Sequence, residues 1–221
     1  MIGLSARVST TMAATVLLTL ACGLIPIVGS TQSRADAVSD CMQASKDPDR
    51  GIRGCTAVIK RKPEAAAYYN RGNAYKLKGE LDLAIADYTK AIALDPEDVS
   101  AHYNRAITYN DKGDYDRAIA DYTKVIELYP EYAIAYTNRG IAYENKGEHV
   151  EALADYTWAI ALNPKDVNGY YARALTCERI GQKEQAIADF RQVLSLDPNH
   201  KGSADGLRRL GASLRGPALE N

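Results

Sequence analysis

Residues that commonly build catalytic, metal or cofactor sites are scarce in this sequence. It has 3 His in 221 residues, and His102, His149 and His200 are too far apart to indicate a shared site. It contains no Cys-x-x-Cys pair, no phosphate-binding glycine loop and no dinucleotide fingerprint. We therefore expect no catalytic residues, no metal, no cofactor and no enzymatic activity.

Excess positive charge is absent as well. The formal net charge is -1, and removal of residues 1–35, which hold two Arg and no acidic residue, gives 25 - 28 = -3. A mildly acidic chain lacks the electrostatic footprint of a nucleic-acid-binding protein. It also lacks the basic patch that holds a protein on an anionic membrane. We expect no nucleic-acid partner.

The N-terminus has the features of a secretory signal peptide. Arg7 precedes an apolar run, Ala13–Ile25, and small residues follow it. Two small-x-small sequences end at Ala35 and Ala37, so cleavage is expected after one of these residues. The pattern predicts a signal peptide over residues 1–35 and an exported protein, either periplasmic or secreted.

Two alternatives for the N-terminus remain open. An uncleaved membrane anchor would need about 20 apolar residues, and the strongly apolar run is shorter than that. Lipid modification of Cys22 would tether the protein to a membrane, although Thr19 stands where a bacterial lipobox usually has Leu. The membrane becomes a partner only if Cys22 is lipidated.

An internal repeat dominates the rest of the chain. Four prolines lie 34 residues apart, and each follows Leu-Asp, Leu-Tyr or Leu-Asn. The columns that recur at this interval include Pro96, Pro130, Pro164 and Pro198; Gly72, Ala106, Gly140 and Ala174; Gly79, Gly113, Gly147 and Gly181; and Tyr88, Tyr122, Tyr156 and Phe190. This pattern resembles the tetratricopeptide repeat family, with copies at 65–98, 99–132, 133–166 and 167–200.

The spacing within one copy predicts a helical hairpin. Tyr68, Gly72 and Tyr75 recur at i, i+4 and i+7, which places them on one helical face, and Ala84 and Tyr88 begin a second such face. A single hairpin cannot bury its apolar face, so successive hairpins must stack. We expect an all-α solenoid of antiparallel hairpins, and the resemblance implies a right-handed superhelix.

Both ends of the array are atypical. Residues 36–64 align as a degenerate hairpin in which Cys55 stands at the core position of Tyr88. Residues 201–212 are expected to form a closing helix with a polar back, and 213–221 a flexible tail. Cys41 and Cys55 are expected to form a disulfide, since an exported chain meets an oxidising compartment. A redox role is the alternative. Cys177 replaces a core Tyr and is predicted to be a buried thiol.

Two further columns predict repeated ion pairs. An Arg precedes the small residue of each first helix, and an Asp precedes the aromatic residue of each second helix. Antiparallel hairpin geometry places these columns opposite one another. The predicted pairs are Arg71–Asp87, Arg105–Asp121, Arg139–Asp155 and Arg173–Asp189. Each Arg has its own partner, which favours a structural role over an acidic ligand.

The resemblance implies that a ligand lies in a concave groove lined by the first helices. The corresponding residues here are Tyr69, Asn73, Tyr103, Ile107, Asn110, Ile141, Glu144, Tyr171, Leu175 and Glu178. They are rich in Tyr and Ile with a modest acidic excess, so a protein or peptide partner that is apolar with some basic character is expected. Only Asn73 matches the clamp by which some members hold a C-terminal carboxylate. Trp158 is expected on the convex side, either packed along its helix or as a second contact site.

The sequence as a whole predicts an exported scaffold that binds a polypeptide segment in its groove. A membrane-tethered lipoprotein of envelope assembly is the alternative among binding proteins. A thiol-dependent enzyme is the alternative from another class.

Overall fold

The structure, a computed structural model, describes residues 29–214, with side chains from residue 34 onward. This part of the chain forms eleven helices and no strand. They are α1 (Gly29–Met42), α2 (Pro48–Arg61), α3 (Ala65–Leu77), α4 (Leu81–Leu94), α5 (Val99–Asp111), α6 (Tyr115–Leu128), α7 (Ala133–Lys146), α8 (His149–Leu162), α9 (Val167–Arg179), α10 (Lys183–Leu196) and α11 (Lys201–Arg209). The apolar run of the predicted signal peptide, Cys22 and most of the predicted tail lie outside the described residues.

The helices pack as consecutive antiparallel hairpins, from α1 with α2 to α9 with α10, and each hairpin packs on the next. The first helices α1, α3, α5, α7 and α9 also contact one another in series. Successive second helices make no comparable contact in the described part of the chain. Because helices approach most closely on the inner side of a curved stack, the first helices line the concave face. The predicted solenoid is confirmed.

Glycine ends the first helix of each repeat, as the spacing predicts. Gly79, Gly113, Gly147 and Gly181 have φ between 75° and 87°, a left-handed conformation that costs a residue with a Cβ more than it costs glycine. At Gly147 the next amide, of Glu148, bonds the carbonyl of Tyr143 at 2.9 Å and closes the turn. The second helix can then start two residues later.

Small residues allow the two helices of a hairpin to approach closely. A Cβ added to Gly140 would lie 2.6 Å from the ring of Tyr156. The aromatic column Tyr88, Tyr122, Tyr156 and Phe190 is almost completely buried. The core of each hairpin is therefore one aromatic ring set against a small residue.

The ends of the array differ from their predicted boundaries. Helix α1 begins at Gly29, so both expected cleavage sites lie inside this helix rather than before it. Helix α11 ends at Arg209, short of the expected residue 212, and Gly211 follows with φ 67°. Leu207 is fully buried and closes the core against α10. No helix between residues 29 and 214 is long and apolar enough to cross a membrane.

Candidate functional site

The predicted Arg and Asp columns meet inside each hairpin. In all four copies the Arg Nε and Nη2 bond the two carboxylate oxygens of the Asp sixteen residues later. The Nε to Oδ2 distances are 2.7 Å for Arg71–Asp87, 2.7 Å for Arg105–Asp121, 2.8 Å for Arg139–Asp155 and 2.8 Å for Arg173–Asp189. All four Asp are buried. This two-point geometry is the strong form of the Arg–carboxylate contact.

The same guanidinium groups also contact the preceding hairpin, a contact that the sequence reasoning missed. The Arg Nη1 donates to the hydroxyl of a Thr in that hairpin, at 2.9 to 3.1 Å. The pairs are Arg71–Thr56, Arg105–Thr89, Arg139–Thr123 and Arg173–Thr157. The Thr residues recur with the repeat, which is the signal that could have revealed them. These groups therefore join neighbouring repeats as well as the two helices of one repeat.

Electrostatic interactions favour the charged forms of Arg71, Arg105 and Asp121. The bond to Asp87 raises the pKa of Arg71 above its ordinary value. Burial raises the pKa of Asp121, but bonds from Arg105 and His102 outweigh burial and hold that pKa below its ordinary value. Arg105 and Asp121 therefore both favour their charged forms in the folded protein.

Each His has a structural partner. His102 Nδ1 lies 3.3 Å from Asp121 Oδ1, and His149 Nδ1 lies 2.9 Å from Glu144 Oε2. His200 caps α11 by accepting the amide of Ser203 at 3.1 Å. No group of three His, Cys, Asp or Glu side chains within residues 34–214 could hold a metal ion.

Tyrosines of the predicted groove are partly used in packing between repeats. Asn104 Nδ2 donates to Tyr69 Oη at 2.8 Å and to Asn73 Oδ1 at 3.2 Å. Asn138 Nδ2 donates in the same way to Tyr103 Oη at 2.8 Å. Asn73 also accepts from the hydroxyl of Tyr88. These side chains lie on the concave face, but their polar atoms already bind the neighbouring repeat.

A concave pocket of about 530 Å³ opens between α7 and α9. Four of the predicted groove residues line it, namely Ile141, Glu144, Tyr171 and Leu175. The other six, Tyr69, Asn73, Tyr103, Ile107, Asn110 and Glu178, lie outside it. Lining residues absent from the predicted set include Ile134, Asn138, Asn163 and Asp166. The apolar walls are accessible, since Ile134 is 47% exposed and Ile141 36%.

The acidic groups of the groove are largely neutralised within the protein. Glu144 bonds Arg179 at 2.9 Å and accepts from the hydroxyl of Thr176 at 3.0 Å. Glu178 bonds Arg209 of α11 at 2.7 Å. The acidic excess expected from the sequence is therefore smaller than a count of residues indicates. Both of these glutamates form an ion pair with an Arg that lies about one repeat further along the chain.

One predicted groove residue keeps an unused acceptor. Asn110 Oδ1 is buried and has no hydrogen-bond partner among residues 34–214. A buried acceptor without a donor carries an energetic cost within the folded protein. Nearby on the concave side, burial lowers the pKa of Lys76, while Asp111 favours its charged form.

Two residues outside the groove, Cys177 and Trp158, concern the thiol-dependent enzyme and the second contact site considered from the sequence. Cys177 is 1% exposed, and burial raises the pKa of its thiol, which lowers the fraction of reactive thiolate. Trp158, on α8, is 60% exposed and stacks on Tyr136 with ring centroids 6.4 Å apart. Trp158 packs on the neighbouring helix α7 and keeps more than half of its surface accessible.

A stack of helical hairpins with one open concave face defines the helical-solenoid class of proteins. The family model of the tetratricopeptide repeat matches residues 65–98, 99–132, 133–166 and 167–200. The chain belongs to the tetratricopeptide repeat family. This family typically supplies non-enzymatic scaffolds, and membership supports a role in protein–protein interaction.

Solved structures show the same architecture. The chain is similar to a crystal structure of MamA, at 26% identity and TM-score 0.69, over 73% of this chain and 95% of that one. It is similar to MamA from Desulfovibrio magneticus RS-1, at 18% identity and TM-score 0.71, over 76% and 97%. A tetratricopeptide repeat protein from Parabacteroides merdae ATCC 43184 matches at 22% identity and TM-score 0.72, over 81% and 74%. No curated protein sequence matches the chain.

Proposed function

We propose that this protein is an exported scaffold that holds a segment of a partner polypeptide in its concave groove. The observation that carries the proposal is the pocket between α7 and α9, whose accessible apolar walls include Ile134 and Ile141. Clustered apolar side chains that no neighbouring helix covers commonly mark a binding surface.

The disulfide between Cys41 and Cys55 supports the export part of the proposal. It joins α1 to α2. Disulfides persist in secreted and periplasmic proteins and are rare where thiol-reducing systems operate. An N-terminus with the pattern of a signal peptide agrees with this compartment. Sequencing of the mature protein's N-terminus distinguishes a chain cleaved after Ala35 or Ala37 from one that starts at a lipidated Cys22.

The groove is tested by substitutions that leave its structural tyrosines in place. Ile141→Gln with Leu175→Gln removes apolar surface from the pocket without touching the hydrogen bonds of Tyr69 or Tyr103. We expect affinity for the captured partner to fall roughly tenfold or more, the loss expected when central apolar contacts are removed. The measurement is affinity capture with the wild-type chain, identification of the partner, and titration of the purified partner.

The matched control lies on the opposite face. Leu83 and Leu94, on the second helix α4, are exposed to a similar degree, 47% and 50%. Leu83→Gln with Leu94→Gln should leave affinity within about twofold, because surface apolar residues outside an interface contribute little to binding. Equal losses in both variants, or no loss in the pocket variant, would remove the groove as the binding surface.

A further inference from the structure

The concave face is built from a repeated Tyr–Asn contact. In two places a Tyr of one first helix meets an Asn of the next first helix, 35 residues later. Asn104 Nδ2 lies 2.8 Å from Tyr69 Oη, and Asn138 Nδ2 lies 2.8 Å from Tyr103 Oη. Each of these Tyr rings also packs on the core aromatic of its own hairpin, with centroids 6.0 Å apart for Tyr69–Tyr88 and 5.9 Å apart for Tyr103–Tyr122. The contact fills the space between neighbouring first helices.

The third place lacks both residues. Thr137 and Ala172 stand where the repeat would put Tyr and Asn, and both line the pocket between α7 and α9. Tyr156, the core aromatic of this hairpin, makes no ring contact with another aromatic side chain of the described part, whereas Tyr88, Tyr122 and Phe190 each do. The pocket therefore occupies the position of an aromatic side chain that the other repeats supply themselves.

Charge at the edge of the pocket is unbalanced. Its charged lining residues are Glu144, Asp166 and Arg179, and the first and last are paired with each other. Asp166 caps α9 by accepting the amide of Asn168 at 3.0 Å and has no ion pair within residues 34–214. The charge left for a ligand is one carboxylate beside the space of the missing ring. A positive group next to an aromatic ring complements it.

We propose that this pocket receives an aromatic side chain of the partner polypeptide, with a basic residue adjacent to it that pairs with Asp166. The proposal rests on the proposed binding function of the groove and names the chemistry of the segment bound there. The partner's ring takes the place of the missing Tyr over Thr137, against Ile141, Leu175 and the edge of Tyr156. Helix α9 leaves room for the ring because it has Ala172 at the position where α5 and α7 have Asn104 and Asn138.

The first test uses N-acetyl-tyrosyl-argininamide as the probe and methyl-labelled protein for nuclear magnetic resonance. We expect saturable shifts at the methyl groups of Ile134, Ile141 and Leu175. N-acetyl-alanyl-argininamide tests the ring, and the tyrosyl-glutamic acid amide tests the charge. Each of these two probes should bind at least about fivefold more weakly than N-acetyl-tyrosyl-argininamide, in line with the loss of one anchor contact. Equal binding by the alanyl probe, or shifts only at other methyl groups, would overturn the proposal.

The second test rebuilds the missing contact from the chain's own repeat. Thr137→Tyr with Ala172→Asn should fold normally, fill the pocket and weaken probe binding about tenfold or more. Ala172→Leu, at a partly exposed helical position, fills part of the same space. This variant replaces the double variant in the probe measurement if the double variant does not fold. The converse pair, Tyr103→Thr with Asn138→Ala, should open a second pocket and add probe shifts at Ile107. A folded filled variant that binds the probe unchanged contradicts the proposal.

Partner capture separates the two proposals. If the filled variant captures the partner with unchanged affinity while Ile141→Gln with Leu175→Gln does not, the groove binds a segment but not by an aromatic anchor in this pocket. If both variants bind normally, the groove proposal fails as well. If both lose affinity and the captured segment carries an aromatic–basic pair whose replacement by alanine has the same effect, both proposals stand.

Discussion

Arg105 is bonded at the same time to Asp121 in its own hairpin and to Thr89 in the preceding one. Its Nε and Nη2 each lie 2.7 Å from a carboxylate oxygen, and its Nη1 lies 3.0 Å from Thr89 Oγ1. The same arrangement recurs in all four repeats. One side chain per repeat therefore ties the two helices of a hairpin together and attaches that hairpin to its neighbour.

Removing Asp121 alone should destabilise the protein more than removing both members of the pair. Asp121→Ala leaves the largely buried guanidinium of Arg105 without its counter-charge, and we expect a loss of about 3 kcal/mol in the free energy of unfolding. The double variant Arg105→Ala with Asp121→Ala should lose less. Urea unfolding followed by circular dichroism measures both. Asp116→Ala, on the exposed side of α6, is the control and should cost less than about 1 kcal/mol. A double variant less stable than the single one would contradict this account.

The Thr contact should contribute measurably between repeats. Thr89→Val keeps the shape of the side chain but removes the acceptor of Arg105 Nη1. We expect a loss of about 1 kcal/mol, the usual net contribution of one hydrogen bond. Thr89→Ser retains the hydroxyl and should retain most of the stability. If Ser and Val variants unfold at the same urea concentration, the hydroxyl makes no contribution.

The Asp121 carboxylate should make the free energy of unfolding depend on pH in the acidic range. Burial raises its pKa, but Arg105 and His102 lower it further, so the folded-state pKa lies below the ordinary value of 3.8. A carboxylate whose pKa is lower in the folded protein stabilises the fold at pH values above its pKa in the unfolded chain. This stabilisation is lost as the pH falls through the pKa of the folded state. The stability advantage of the wild type over Asp121→Asn should be full near pH 5 and shrink below about pH 4. Unfolding curves at several pH values measure it, and an advantage that grows on acidification would refute the assignment.

Reduction of Cys41–Cys55 should loosen the N-terminal hairpin first. The bridge spans 14 residues of sequence, and in the chain-entropy model such a loop contributes about 3 kcal/mol. Coupling in a solenoid runs between neighbours, so the effect should fade along the array. Hydrogen exchange after reduction, or in Cys41→Ser with Cys55→Ser, should accelerate in α1 and α2 and stay unchanged in α9. Uniform acceleration along the chain would argue against this local role.

The Cys177 thiol should react slowly in the folded protein. It is buried, and burial raises its pKa, so little thiolate is present near neutral pH. In a Cys22→Ala chain we expect the native protein to react with a thiol reagent far more slowly than the denatured one. Fast native labelling of Cys177 would instead favour the thiol-dependent alternative.

Much of the fold could be predicted from the sequence because its determinants are local. The 34-residue period, the turn glycines and the apolar faces each act over a few turns of helix, and stacking follows because no single hairpin buries its own core. The Arg and Asp columns share that period, so their meeting inside each hairpin follows from the spacing as well. The ends were less predictable, since α1 starts at Gly29 and α11 ends at Arg209, where the repeat no longer constrains the chain.

Only the tertiary structure decided which polar groups of the groove are already occupied and where the groove is open. Glu144 and Glu178 look like free acidic groups in the sequence, yet each pairs with an Arg from a neighbouring element. The pocket forms where Thr137 and Ala172, which are 35 residues apart and replace the Tyr and Asn of the other repeats, lie beside each other after the hairpins stack. Periodicity records what each repeat has in common, whereas a binding pocket depends on packing between side chains of different repeats. That packing is set by distance in space rather than by position within a repeat.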